Sequence, residues 1–95
     1  MTVCNEMRKL RKYLDENKIE WQDNSWDVRD EWICRTVFEV KGYIFSVNNG
    51  YNTYGGFNPL HPINIGMLEM WCKKGGMEPI GYMTAEEVTK RIEKL

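Results

Sequence analysis

The sequence is poor in the residues that usually build catalytic and metal sites. It has one histidine, His61, and three cysteines, Cys4, Cys34 and Cys72. A Cys–His or Ser–His pair would have to use His61, which has no neighbouring carboxylate to orient it. The cysteines are widely spaced and form no CxxC motif, so we expect buried thiols and no zinc site. We predict no catalytic residues, no metal ligands and no cofactor, and expect a protein that is not an enzyme.

The chain also lacks long apolar runs and an excess of either charge. Its 95 residues include 13 basic and 14 acidic side chains, for a net charge of −1. This balance gives no general attraction to long nucleic acids or to anionic membranes. No apolar run approaches the ~18 residues that a membrane span needs, and the N-terminus has no apolar stretch typical of a signal peptide. We expect one cytoplasmic domain that needs no membrane.

Helices are predicted at both ends of the chain. Near the N-terminus, apolar residues recur with the spacing of one helix face: Val3, Met7, Leu10 and Leu14. Thr2 or Asn5 is expected to cap this helix, and Asn17 is expected to end it because Asn tolerates the left-handed conformation. At the other end, Thr84 and Glu87 have the spacing of a capping box, which predicts a helix running to the C-terminus.

Between the helices, apolar and polar residues alternate as in β-strands. The predicted strands are 18–22, 32–41, 43–47, 66–72 and 78–83, with a polar connection at 23–31. Lys41-Gly42 favours a tight turn, and Pro79 indicates an edge strand. The order α-β-β-β-β-β-α predicts an α+β domain in which two helices cover one face of an antiparallel sheet of four to five strands. The opposite face, with Ile33, Val37 and Ile44, would then be solvated or covered by a second copy.

The most unusual segment is a loop at 48–62, rich in Gly, Asn and aromatic residues. It lies within residues 42–68, a run of 27 residues without Asp, Glu, Lys or Arg, in a chain that is 28% charged. Three glycines and two prolines argue against regular structure there. Such a segment must pack on its own protein, on a second subunit or on a ligand. A structural plug, a protein interface and a ligand pocket all remain open.

The ligand hypothesis gives each loop residue type a role. Flat aromatic rings can stack on nucleobases, amide and hydroxyl groups can contact base edges, and exposed glycine N–H groups can cradle phosphate. The candidate stacking residues are Tyr51, Tyr54 and Phe57, and the candidate polar contacts are Asn48, Asn52, Thr53, Gly55, Gly56 and His61. Arg35 is a nearby cation. These residues predict a small nucleotide as ligand.

Two segments of the chain carry a resemblance to known proteins. They are Tyr51-Asn52-Thr53-Tyr54-Gly55-Gly56 and the run from Gly75 to Val88, which contains Pro79-Ile80-Gly81-Tyr82. Both resemble segments of small phage and prophage proteins of gut Firmicutes. The resemblance implies a phage protein that counters host immunity. By type it is similar to sponge proteins, which are homo-oligomers that sequester cyclic nucleotide signals. Our leading hypothesis is therefore a non-catalytic, homo-oligomeric anti-defence protein that binds such a signal. The alternative is a protein-binding inhibitor, for example of a CRISPR nuclease, in which the acidic stretch 23–31 mimics nucleic acid or the loop docks on the target.

Overall fold

A computed structural model describes residues 3–28, 31–56, 63–73 and 77–95. Two helices, α1 (Asn5–Glu16) and α2 (Ala85–Glu93), flank a run of strands. The strands are β1 (Trp21–Asp23), β2 (Trp26–Val28), β3 (Glu31–Val40), β4 (Tyr43–Gly50), β5 (Leu68–Cys72) and β6 (Met77–Met83). The predicted α+β class is confirmed: along the chain, one helix precedes the strands of an antiparallel sheet and one helix follows them.

Every strand pairing in the sheet is antiparallel, and the strand order is β1-β3-β4-β5-β6. β2 pairs with the opposite end of β3, so β1 and β2 form one edge that is interrupted at Asn24 and Ser25. β6 forms the other edge, as Pro79 predicted. The hairpin between β3 and β4 turns at Lys41 and Gly42, with φ values of 52° and 83°. Two positive φ values suit the twist of a tight hairpin.

Both helices pack on the same face of the sheet. α1 buries Met7, Leu10 and Leu14, and α2 buries Ala85, Val88 and Ile92. Alternate strand residues complete this core: Cys34, Phe38, Phe45, Val47, Leu68, Met70, Cys72 and Met83. The opposite face, called the open face below, has no helix against it among the described residues. It carries Ile33, Val37 and Ile44, as the alternation predicted.

The helix ends show one prediction confirmed and one corrected. Thr84 accepts a hydrogen bond from the backbone N–H of Glu87, whose carboxylate accepts from the Thr84 N–H, so the capping box is present. For α1, the residue in the N-cap position is Cys4 rather than Asn5, and it makes no side-chain cap; Thr2 lies outside the described residues. Asn17 ends α1, but Lys18 takes the left-handed conformation, with φ of 56°.

Two boundaries differ from the sequence-based expectation. The segment 23–31 is not only a connection, because Trp26–Val28 pairs with Glu31–Ile33. Residues 48–50 are not loop, because Asn48, Asn49 and Gly50 continue β4 opposite Arg35, Cys34 and Ile33. In both places a segment with weak strand propensity forms a strand because its backbone hydrogen-bonds to β3. Within the described ranges, no helix is both long and apolar enough to cross a membrane.

Candidate functional site

The two ends of the aromatic loop are joined by a pair of asparagine side chains. Asn49, fully buried at the end of β4, donates from Nδ2 to Asn64 Oδ1 at 3.1 Å. Asn64 Nδ2 donates back to Asn49 Oδ1 at 2.8 Å. Asn49 also donates to the Met67 carbonyl at 2.8 Å. This reciprocal amide pair satisfies buried polar groups that would otherwise cost ~1–3 kcal/mol each, and it fixes the loop entrance against its exit.

The first part of the loop is a compact turn around Gly50. Thr53 Oγ1 accepts from the Gly50 N–H at 3.0 Å and donates to the Gly50 carbonyl at 2.8 Å. Gly56 packs against the same turn, because a Cβ there would lie 2.7 Å from the Gly50 nitrogen. Thr53, Gly55 and Gly56 are all buried. These three residues therefore build the loop and have little surface exposed to solvent.

Three other predicted residues face outward to different degrees. Tyr54 is 59% exposed and lies beside the open face, where its N–H donates to Glu69 Oε2 at 3.0 Å. Tyr51 is half-buried, with its N–H bonded to the Trp32 carbonyl at 2.9 Å. Asn52 is exposed. Phe57 and His61, which were also predicted to contact a ligand, lie outside the described residues.

A chain of polar side chains crosses the centre of the open face. Arg35, Asn48 and Glu69 occupy paired positions on β3, β4 and β5. Arg35 Nε donates to Asn48 Oδ1 at 2.8 Å, and Asn48 Nδ2 donates to Glu69 Oε1 at 3.4 Å. Ser46 Oγ also donates to Asn48 Oδ1, at 3.3 Å. Asn48 is only 6% exposed, so its amide is a fixed link between a cation and a carboxylate.

These side chains line a shallow hollow of about 360 Å³. Its walls are Arg35, Ser46, Asn48, Glu69, Trp71 and Pro79. Trp71, opposite Ser46 in the sheet, is 37% exposed. No described carboxylate forms an ion pair with Arg35, and no described acceptor binds its two Nη groups. The hollow therefore combines N–H donors, a carboxylate acceptor and a flat ring.

A larger groove of about 960 Å³ runs beside β1. Its apolar lining includes Ile19, Trp21, Val37, Val40 and Ile44, and its charged lining residues are Asp15, Lys18, Glu20 and Glu39. Three carboxylates against one ammonium group make this groove unfavourable for an anion. For an anionic ligand, the smaller hollow that contains Arg35 is therefore the better candidate site.

Part of this hollow was predicted from the sequence and part was missed. Arg35 and Asn48 were predicted, and the structure brings them together. Glu69 and Trp71 were missed because the site prediction followed the uncharged stretch, which ends at Leu68. The available signal was the alternation of β5: Leu68, Met70 and Cys72 point into the core, so the two residues between them must point to the open face.

Groups that could support catalysis are few among the described residues. Cys34 and Cys72 are buried, as predicted, and Cys4 is half-buried. Burial raises the pKa of the Cys4 thiol above its ordinary value, with the nearby Cys34 adding to the effect, which lowers the fraction of reactive thiolate. In the described part of the chain, no three His, Cys, Asp or Glu side chains gather as a metal site would require.

Comparison of the chain with protein-family models, with curated proteins and with solved structures gives no significant match.

Proposed function

We propose that this protein is a non-catalytic binding protein that holds a small nucleotide on the open face of its sheet. The observation that carries the proposal is the half-buried Arg35 in the hollow, whose Nη groups lack a described partner while Nε is fixed by Asn48. A guanidinium with its own anchor and unused N–H groups is well suited to a phosphate oxygen, because it is oriented before the ligand arrives.

Trp71 supplies the second requirement, which is a surface for the base. Its ring is half-exposed on the wall of the same hollow as Arg35. Stacking on an aromatic side chain contributes ~1–3 kcal/mol per base. The exposed Tyr54, bonded through its backbone to Glu69, provides another ring at the edge of the site. In this proposal Trp71 on the sheet takes the main stacking role, and Tyr54 keeps the role that the sequence predicted for it.

The biological context of the proposal comes from the sequence resemblance. We propose a phage-encoded anti-defence role in the bacterial cytoplasm, in which the protein sequesters a cyclic nucleotide signal without degrading it. Homo-oligomerisation belongs to the same proposal. The exposed Ile44 and the half-buried Val37 on the open face are the surface that a second copy would cover.

A second candidate function is inhibition of a host protein complex such as a CRISPR nuclease. The groove beside β1 supports it, because apolar residues there are accompanied by the carboxylates of Asp15, Glu20 and Glu39. Such a surface is suited to a basic protein segment. Its acidic residues differ from the stretch 23–31 that sequence alone favoured; within that stretch, Asp23 already binds Ser25 and Arg11.

Calorimetry distinguishes the two candidates. We expect heat of binding when the folded protein is titrated with a panel of cyclic di- and trinucleotides, and saturation at one ligand per hollow or per pair of hollows. A folded sample that binds none of the panel would refute the nucleotide proposal. Recovery of a stoichiometric host protein from a pull-down, together with that result, would support the inhibitor.

A further inference from the structure

From the hollow on the open face, we infer that the site selects guanine over adenine and that Glu69 is the residue that makes the choice. This inference depends on the proposed nucleotide site and adds the class of base. Three groups carry it: Arg35, Asn48 and Glu69 lie side by side on neighbouring strands, with Trp71 two residues from Glu69 on the same face.

The position of Glu69 relative to Trp71 determines which part of a base it meets. Residues i and i+2 of one strand point to the same face and lie about 6–7 Å apart. In the arrangement inferred here, a base stacks on the Trp71 ring with its Watson–Crick edge towards the Glu69 carboxylate. That edge is opposite the glycosidic bond, so the ribose lies on the far side of the base, and a phosphate of the cyclic dinucleotide contacts the Arg35 guanidinium across the hollow.

Glu69 is held in place before any ligand binds. Its Oε2 accepts from the Tyr54 N–H at 3.0 Å, and its Oε1 accepts from Asn48 Nδ2 at 3.4 Å. Each carboxylate oxygen has a further lone pair, so both can accept one more hydrogen bond. The two anchors come from the loop and from β4, which fixes the carboxylate without using up its capacity as an acceptor.

The chemistry of the bases then separates guanine from adenine. The Watson–Crick edge of guanine carries two adjacent donors, N1–H and the N2 amino group, which match the two oxygens of a carboxylate. Adenine has an unprotonated N1 at the same place, so its lone pair would face the lone pairs of Glu69. A site built around this half-buried carboxylate disfavours such a ligand, because adenine offers no donor at that place and the two sets of lone pairs repel each other.

The expected size of the selection follows from other base contacts. A bidentate contact to a base edge commonly discriminates by ~1–3 kcal/mol, which corresponds to roughly 5- to 150-fold in affinity. We therefore expect cyclic di-GMP to bind at least about fivefold more tightly than cyclic di-AMP. Cyclic di-IMP, whose hypoxanthine base keeps N1–H and lacks the amino group, is expected to bind with intermediate affinity.

The test is calorimetric titration of the full chain with these three ligands, followed by the same titrations on Glu69→Gln. Glutamine keeps one acceptor for the Tyr54 N–H but loses the paired acceptors, so the three affinities should converge. Glu39→Gln is the matched control, because it removes the same charge from β3 beyond the hollow and should keep the wild-type order.

The outcomes separate the inference from the function. Binding of all three ligands with equal affinity, or tighter binding of the adenine ligand, refutes guanine selection and leaves the nucleotide site standing. Absence of binding by all three and by the wider panel refutes both. If Glu69→Gln fails to fold, the order of affinities in the wild-type protein still confirms or contradicts the inference.

Discussion

Arg35 and Asn48 are paired twice, once through the backbone and once through their side chains. They are direct partners in the ladder between β3 and β4, and Arg35 Nε donates to Asn48 Oδ1 at 2.8 Å. Backbone contacts also hold Arg35 from the other side, since its N–H donates to Ser25 Oγ at 2.9 Å and its carbonyl accepts from Asn24 at 3.0 Å. This cation is consequently fixed at the centre of the open face.

Removing the Arg35 side chain tests its proposed role as the phosphate contact. We expect Arg35→Ala to weaken binding of a cyclic dinucleotide by at least tenfold, because hydrogen bonds to charged groups contribute ~1.5–3 kcal/mol. Calorimetry gives the affinities. Arg8→Ala, at an exposed position on α1, is the control and should bind as the wild type does. Equal affinities for all three proteins would exclude Arg35 from the site.

Replacing Trp71 tests the stacking surface. Trp71→Ala is expected to reduce affinity by roughly 5- to 150-fold, the equivalent of one stacked base. Trp26 is a close match for a control, because it lies on the same face and is 40% exposed compared with 37% for Trp71. It does not line the hollow. If Trp26→Ala weakens binding as much as Trp71→Ala does, the ligand covers a wider area of the face than proposed.

Thr53→Val tests whether the loop depends on its turn at Gly50. Valine has the shape of threonine but cannot accept from the Gly50 N–H or donate to its carbonyl, both buried. The free energy of unfolding should fall by ~1–3 kcal/mol, as measured by urea denaturation. Thr89→Val removes an exposed hydrogen bond, from the Thr89 hydroxyl to the Glu86 carbonyl on α2, and should lower the free energy of unfolding by less than about 1 kcal/mol. Similar values for the two variants would mean that the turn contributes little.

A contact between the helices makes stability depend on pH. The backbone N–H of Ala85 donates to Glu6 Oε1 at 2.9 Å and lowers the pKa of Glu6 below its ordinary 4.5. Partial burial opposes this shift, and Lys9 reinforces it. Because the folded-state pKa is the lower one, the carboxylate stabilises the fold above pH 4.5, and this contribution disappears as pH falls through the folded-state value.

Glu6→Gln should therefore be less stable than wild type at pH 7, with a difference that shrinks as the pH falls below 4.5. Urea denaturation at about pH 7 and about pH 3 measures both values. Glu16→Gln, at an exposed position, should show a smaller difference at neutral pH. A gap between wild type and Glu6→Gln that stays constant with pH would contradict the assigned role of the carboxylate.

Some elements could be predicted because their signals are local. Met7, Leu10 and Leu14 lie within two helical turns, and the capping box at Thr84 lies within one. Neighbouring residues alone therefore determine both helix signals. The strand Trp26–Val28 has no such signal. It is short, lies among polar residues and forms because β3 offers a free ladder, which is a contact distant in sequence.

The candidate site illustrates the same limit. The loop composition pointed to residues 48–56, but composition does not distinguish a side chain that builds a turn from one that binds a ligand. Thr53 belongs to the first kind, since both partners of its hydroxyl are on Gly50. Glu69 and Arg35 are 34 residues apart in sequence and come to lie on either side of Asn48 only after the strands have paired.

The most direct test of a nucleotide site on the open face is NMR mapping of the ¹⁵N-labelled protein during titration with cyclic di-GMP. We expect the backbone signals of Arg35, Asn48 and Glu69 and the indole N–H signal of Trp71 to move together and saturate. Signals of residues on the outer sides of α1 and α2 should stay in place. Shifts confined to the helices or to the groove beside β1, or no shifts at all, would contradict a nucleotide site in the hollow.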